Sequence, residues 1–369
     1  MADIHPIDQD LADQLRSGAK RLVADSTDHA RTRKLRRTLP GHDAELLATI
    51  AELGWFGILI PEELGGFGFG LDEMALIAGA LEKGLISGPF LELAVLGTRT
   101  LVHAAGDAAA GLFAEMAMGQ TRLALALGHD AALPEVTAGK EGGEWVLKGE
   151  CAAVAGAFGA THFLVPASDG ATLRLFLVTA GAAGADLQPT WRADDSPLGH
   201  LSLNGVRVAA ETAPAERVAP AIARALDETR IVAAAALNGL SEHMYEMTVE
   251  YLKIRRQFDQ PIGAFQALQH KAVDLHIQKE LATATLSLGL DLARTEPDQL
   301  DVAAIRAKGR ASAVAMRMGR DAIHLHGAIG FTDEHDLGLY VKRAMVLSAW
   351  LGNATAQRRR FVEKGLVFA

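Results

Sequence analysis

From about residue 218 onward the sequence reads as long helices and little else, and this constrains the fold more than any other feature. Apolar residues recur at helical spacing over roughly 220–255, 262–294, 300–326 and 338–364. Pro261 and the pair Glu296-Pro297 mark two of the turns, because the residue before a proline is pushed out of helical geometry. The region 218–369 therefore predicts a helical bundle. Composition points the same way. Alanine and leucine are abundant and aromatic residues make up only 5% of the chain, which favours helices over sheets.

The first stretch, 1–120, is also helical. Leu46, Leu47, Ile50 and Leu53 fall at three- and four-residue spacing and make one apolar stripe. Gly54 is placed to end that helix and Pro61 to stop any continuation. The glycine-rich segment 61–70 is not a phosphate loop, since no Lys-Ser/Thr follows it and no strand precedes it. Between 121 and 217 the pattern changes. Leu173, Leu175 and Leu177 alternate with Arg174 and Phe176. Glu141-Gly-Gly-Glu-Trp-Val-Leu reads as a turn into a strand, with further strands at 162–165 and 206–208. Gly and Asp/Pro punctuation suits a small antiparallel sheet. The expected architecture is mostly α with a small β domain: an N-terminal helical domain (1–120), a middle antiparallel β domain (121–217) and a C-terminal helical bundle (218–369).

At 369 residues, 49% of them apolar, the chain can supply a large interior and more than one domain. The net charge of −9 argues against a nucleic-acid surface and against an anionic membrane face. Cys151 is the only cysteine, which excludes an internal disulfide and a cysteine-rich metal site. No basic segment followed by an apolar core opens the chain, so no secretory signal is visible. Apolar runs such as 231–237 fall short of the roughly 20 residues of a membrane span. The expectation is a cytoplasmic protein with no nucleic-acid, membrane or metal partner.

Candidate chemistry lies in Arg255-Arg-Gln-Phe-Asp-Gln-Pro-Ile-Gly-Ala-Phe-Gln266, in His324-Leu-His-Gly-Ala-Ile-Gly-Phe-Thr332 and in Ser348-Ala-Trp-Leu-Gly-Asn-Ala-Thr-Ala-Gln-Arg358. A helix ending near 258 would put Arg255 and Phe258 on one face. A guanidinium beside an aromatic ring suits a dinucleotide, the fork on pyrophosphate and the ring near adenine. Such a pair is more often a solvated charge beside a core aromatic. Gly327 and Gly330 let the backbone leave a helix and approach another group closely. His324 and His326 diverge by roughly 200° on a helix, a poor arrangement for a metal.

With Gly54-Trp-Phe-Gly-Ile-Leu-Ile-Pro-Glu-Glu-Leu-Gly-Gly-Phe-Gly near the N-terminus, these strings resemble acyl-CoA dehydrogenases over nearly the whole chain. The middle region matches least. The resemblance implies the family fold, with a C-terminal four-helix bundle, and FAD held mainly by a neighbouring subunit. It implies Arg255 on pyrophosphate, with Gln257, Phe258, Ile262, Phe265 and Leu268 around it, and His324, Gly327 and Ala328 along the adenosine side. Asp259 and Ala328 stand where the family has glycine, and His324 where it has glutamine.

Desaturating an acyl thioester requires a base for the α-proton, and a carboxylate in a dry pocket is the natural one. By the resemblance that position is Leu351, in place of the glutamate of a Tyr-Glu-Gly-Thr segment. An alternative family position falls on Thr229. Glu228 is one residue off, about 100° around a helix. No catalytic residue is therefore assigned. The stretches that would flank the isoalloxazine, Ala126-Leu-Gly-His-Asp-Ala and Ala152-Ala-Val-Ala, have lost the family's hydroxyls and indole. The chain thus resembles the non-catalytic partner of heteromeric (α₂β₂) acyl-CoA dehydrogenases, of the kind used in bacterial steroid and sterol side-chain catabolism. There a catalytic sister subunit supplies the base. Two alternatives stand beside it: a self-sufficient homo-oligomer with an atypical base, and a flavin-dependent oxygenase or non-catalytic relative. The implied substrate is an acyl-CoA and the implied electron acceptor an electron-transferring flavoprotein.

Overall fold

A computed structural model describes residues 9–86, 88–105 and 109–366; most of the N-terminal segment read for a signal lies outside them. The helices are α1 (Gln9–Ser26), α2 (His29–Leu35), α3 (Ala44–Glu52), α4 (Leu71–Lys83), α5 (Thr98–Ala105), α6 (Ala110–Ala117), α7 (Ala215–Ile254), α8 (Gln266–Thr295), α9 (Leu300–His326), α10 (Leu337–Ala349) and α11 (Ala354–Glu363). A π-helix, Leu91–Gly97, precedes α5. The chain separates into two compact units, one of residues up to 32, 75–86 and 230 onward, the other of 33–74 and 87–229. Along the sequence the chain is helical at both ends with the strands in the middle, as expected.

The second unit holds the sheet: β1 (Leu123–Leu125), β2 (Glu135–Glu141), β3 (Glu144–Val154), β4 (His162–Ser168), β5 (Leu173–Thr179), β6 (Ala185–Trp191) and β7 (Pro197–Val208). Their order is β1-β4-β2-β3-β7-β6, with β5 also on β4. Four of the pairings are antiparallel, and β4 runs parallel to β1 and β2. Gly142 and Gly143, both at positive φ, make the β2–β3 turn that the Glu-Gly-Gly-Glu string predicts. The alternation read in β5 is incomplete. Leu175 and Phe176 point to opposite faces, yet both are fully buried, because the Trp145 ring covers Phe176 at 5.4 Å. In α3, Leu46, Leu47 and Ile50 are buried and Gly54 adopts φ 75° just beyond the end. Leu53 instead lies 46% exposed, since the helix stops at Glu52 and leaves it as the cap.

In the first unit α9 is central, packing against α8, α10 and α11. Small residues set the spacing: a Cβ on Gly289 of α8 would sit 3.3 Å from Ala307 of α9. The predicted turns at Pro261 and Glu296-Pro297 are present. Two expectations fail. The segment 338–364 is not one helix, because Trp350–Asn353 interrupts it between α10 and α11, with Leu351 at φ 59° and Gly352 at φ 94°. Nor does α7 reach 258. It ends at Ile254, and Arg256–Gln257 pairs with Gln260–Pro261 as a hairpin, β8–β9.

Candidate functional site

The β8–β9 hairpin follows from its local chemistry. The bond from Arg255 N to Tyr251 O closes the last turn of α7. Pro261 offers no N–H to continue a helix. Phe258 (φ 52°) and Asp259 (φ 63°) form a two-residue turn with both residues left-handed, the geometry that matches strand twist. Arg255 and Phe258 thus do not share a helix face, which corrects the sequence reading. Phe258 is carried to the hairpin tip, 86% exposed, with its ring edge-on to Phe265 at 6.1 Å. Arg255, Gln257, His324, Gly327 and Ala328 are also exposed, and Ile262, Phe265 and Leu268 are half-buried. Among the described residues no carboxylate pairs with Arg255.

Residue 327 begins the turn after α9. Gly327 adopts φ 67°, and a Cβ there would meet nothing within 4 Å. The two segments belong to one end of the bundle, because Tyr251 in the last turn of α7 stacks on His326 at 4.5 Å. His326 is 3% exposed; its Nδ1 bonds to Ala322 O and its ring meets His335 edge-on. Burial holds its pKa below the usual histidine value. An unpaired guanidinium, an exposed aromatic ring and an open glycine backbone at one bundle end suit a phosphate-bearing, aromatic ligand.

The α10–α11 break has different chemistry. Leu351 is 5% exposed, and the backbone around it is gripped by three cationic or amide donors. Arg230 Nε donates to Leu351 O at 3.0 Å, and Gln357 Nε2 donates to Leu351 O and Gly352 O. Lys308, from α9, donates to Ser348 O at 3.0 Å and Gly352 O at 3.2 Å, and bonds Ser312 Oγ. Lys308 is fully buried, and desolvation, assisted by the nearby Arg230 charge, brings its pKa down to about 7. No sequence signal distinguished this lysine from its solvated neighbours. The break is rigidly built and presents an aliphatic side chain.

In the other unit, Thr229 and Glu228 are both occupied. Thr229 is fully buried, and its hydroxyl donates to Ala225 O at 2.6 Å, one helical turn back. Glu228 is 3% exposed and accepts from Arg99 Nε at 2.6 Å and from Arg99 Nη2 at 3.0 Å, with His103 Nε2 at 3.0 Å. Burial alone would raise its pKa, but the Arg99 and His103 charges and hydrogen bonds outweigh that and hold it at about 2. A carboxylate so strongly stabilised as the anion is a poor proton acceptor. The stretches 126–131 and 152–155 are brought together, Ala153 N donating to Leu127 O at 3.2 Å, yet neither offers a hydroxyl or an indole.

Among the described residues no helix is long and apolar enough to cross a membrane. Comparison with known proteins agrees with this architecture. Residues 9–110 match the acyl-CoA dehydrogenase N-terminal domain model, and residues 219–366 match the acyl-CoA dehydrogenase C-terminal domain model. The chain is 31% identical over 328 residues to acyl-CoA dehydrogenase FadE27 of Mycobacterium tuberculosis, covering 86% of this chain and 87% of the relative. It superposes on a chain of the ChsE4-ChsE5 complex from Mycobacterium tuberculosis with a TM-score of 0.87 and 27% identity, covering 100% of both. It superposes on a chain of the Tcur3481-Tcur3483 steroid ACAD with a TM-score of 0.84 and 28% identity, covering 96% of this chain and 98% of that one. With a helical N-terminal region, a sheet and a C-terminal bundle all accounted for, this chain belongs to the acyl-CoA dehydrogenase family.

Proposed function

We propose that this chain is the non-catalytic subunit of a heteromeric, FAD-dependent acyl-CoA dehydrogenase. Its C-terminal bundle completes the FAD site of a sister subunit that carries the base. The observation behind this reading is the α10–α11 break, where Leu351 occupies a rigid, buried loop that would otherwise present a carboxylate. The bonding at the alternative family position supports it: Thr229 is bonded to its own helix, and Glu228 to Arg99 and His103.

The bundle end around Arg255 fits the role that remains. Arg255 would pair with the pyrophosphate, while Gln257, Phe258, Ile262, Phe265 and Leu268 would pack around it. His324, Gly327 and Ala328 would follow the adenosine side, where the open backbone at Gly327 admits a close approach. When bound, FAD supplies the acceptor for the hydride lost from the β-carbon of the acyl-CoA. Electron-transferring flavoprotein is the expected onward acceptor. Likeness to a steroid ACAD at 28% identity favours a bulky acyl group, such as a steroid side-chain CoA ester.

The test is to purify the chain alone and again after co-expression with a neighbouring dehydrogenase that retains the glutamate. Alone it should be colourless and inert; the pair should be yellow and bleached by acyl-CoA. Flavin bound and bleached by the isolated chain would overturn the proposal in favour of a self-sufficient enzyme.

A further inference from the structure

The second unit contains a cavity of about 700 Å³ that the proposed function does not use. Leu47, Ala48 and Ala51 of α3 line one side of it, and Ala117 and Met118, at the end of α6, another. Its size and mostly apolar walls are those of a small-molecule site. Two polar groups converge on one edge, beside Gly159. Arg122 Nε donates to Gly159 O at 2.8 Å and Nη1 to Gly119 O at 2.7 Å, while the Arg122 backbone N donates to Thr161 Oγ1 at 2.9 Å. The guanidinium is thereby fixed in place, but by neutral carbonyls that leave its charge uncompensated. Among the described residues no carboxylate pairs with it; Glu52, which also lines the cavity, is exposed and makes no ion pair with Arg122. Arg122 is half-buried, and loss of water lowers its pKa. A partly desolvated cation without a counter-ion is unfavourable until an anion joins it.

His42 is the second group. It is 8% exposed, and its Nδ1 donates to Pro40 O at 3.2 Å, so the opposite nitrogen carries a lone pair. A Cβ on Gly159 would lie 3.4 Å from His42 Cε1, which sets the ring beside the carbonyl that holds Arg122. Burial, and to a lesser extent the Arg122 charge, keeps its pKa below the usual histidine value, and the ring is neutral at neutral pH. One fixed positive charge therefore serves this edge of the cavity, not two. We infer that the cavity binds a free monocarboxylic acid with an apolar body, its carboxylate on Arg122 and its body along α3. Arg122 Nη2, which has no partner among the described residues, supplies a charge-assisted bond. An acyl-CoA ester lacks the group recognised, since its acyl end is a neutral thioester carbonyl. A diacid would bring more negative charge than Arg122 offsets.

The inference does not depend on whether this chain or a sister performs the chemistry, so it stands or falls separately from the proposed function. It is tested by calorimetric titration of the assembly as purified, using 4-cyclohexylbutanoate, its primary amide, hexanedioate and the peptide N-acetyl-leucyl-leucine. The acid should bind once per copy of this chain. The amide should bind roughly tenfold more weakly or worse, the share of one charge-assisted bond. Hexanedioate should do no better than the amide, and neither should the peptide, which ends in the same carboxylate but would bury its amide groups against apolar walls. Arg122→Gln should bring the acid down to the level of the amide. Because that change also disturbs two carbonyl contacts, Ala48→Trp serves as a second variant. Residue 48 is exposed on α3, and an indole there fills the cavity from its rim. It should abolish binding while circular dichroism and the mass of the assembly stay as in the parent. Equal affinity for acid and amide, peptide or hexanedioate binding as tight as the acid's, or unchanged acid binding by Ala48→Trp would each overturn the inference.

Discussion

Leu351 holds a left-handed backbone that costs a side-chain-bearing residue roughly 1–2 kcal/mol, and it is kept there by bonds to its carbonyl from Arg230 and Gln357. The leucine at 351 was legible in the sequence; the cage around it was not, because Arg230 and Lys308 come from distant segments and nothing local shows that Gln357, six residues on, folds back onto it. Glu228 is the converse case. Sequence spacing put it off the expected direction, and only the fold shows Arg99 and His103 claiming it. Removing Arg99 would strand a buried anion, so Arg99→Ala should lose about 3–5 kcal/mol in denaturant unfolding. Glu228→Gln in that background should recover part of the loss. At the surface, Arg255→Ala should lower FAD retention in the complex without changing its mass. Retention equal to the parent's would remove Arg255 from the pyrophosphate.

Elements were easier to read than their ends. The long helices, the Gly-Gly hairpin and the turns at Pro261 and Pro297 follow from periodicity and from two residue types with fixed backbone demands. The ends of α7 and α10 went the other way because helix-compatible residues continue past them. Phe258-Asp259 lacks the glycine that advertises a two-residue turn, and Trp350-Leu351 looks like more helix. The backbone at the break after α10 is also held by the group with the clearest pH signature, Lys308 of α9. Lys308 has a folded pKa near 7 against the usual value of 10.5, so between these the unfolded chain binds the extra proton. Folding stability should therefore rise as pH increases from about 7 toward 10, and the penalty should be fully present below 7. Lys308→Met should flatten that slope in urea titrations; an unchanged slope would mean another group is responsible.

For the whole molecule, order along the sequence was a better guide than grouping in space. Helices, then strands, then helices is what the chain shows, yet its two compact units each collect separated stretches, and α7 runs through both. No local pattern announces that a helix will be shared. The Tyr251–His326 stack has a related effect on a smaller span, coupling the hairpin after α7 to the glycine turn after α9. Damage to one should be felt by the other. Tyr251→Leu combined with Gly327→Val should therefore weaken FAD retention by clearly less than the sum of the separate losses. Strict additivity would show that the two segments answer independently, and that the ring contact is an accident of neighbourhood.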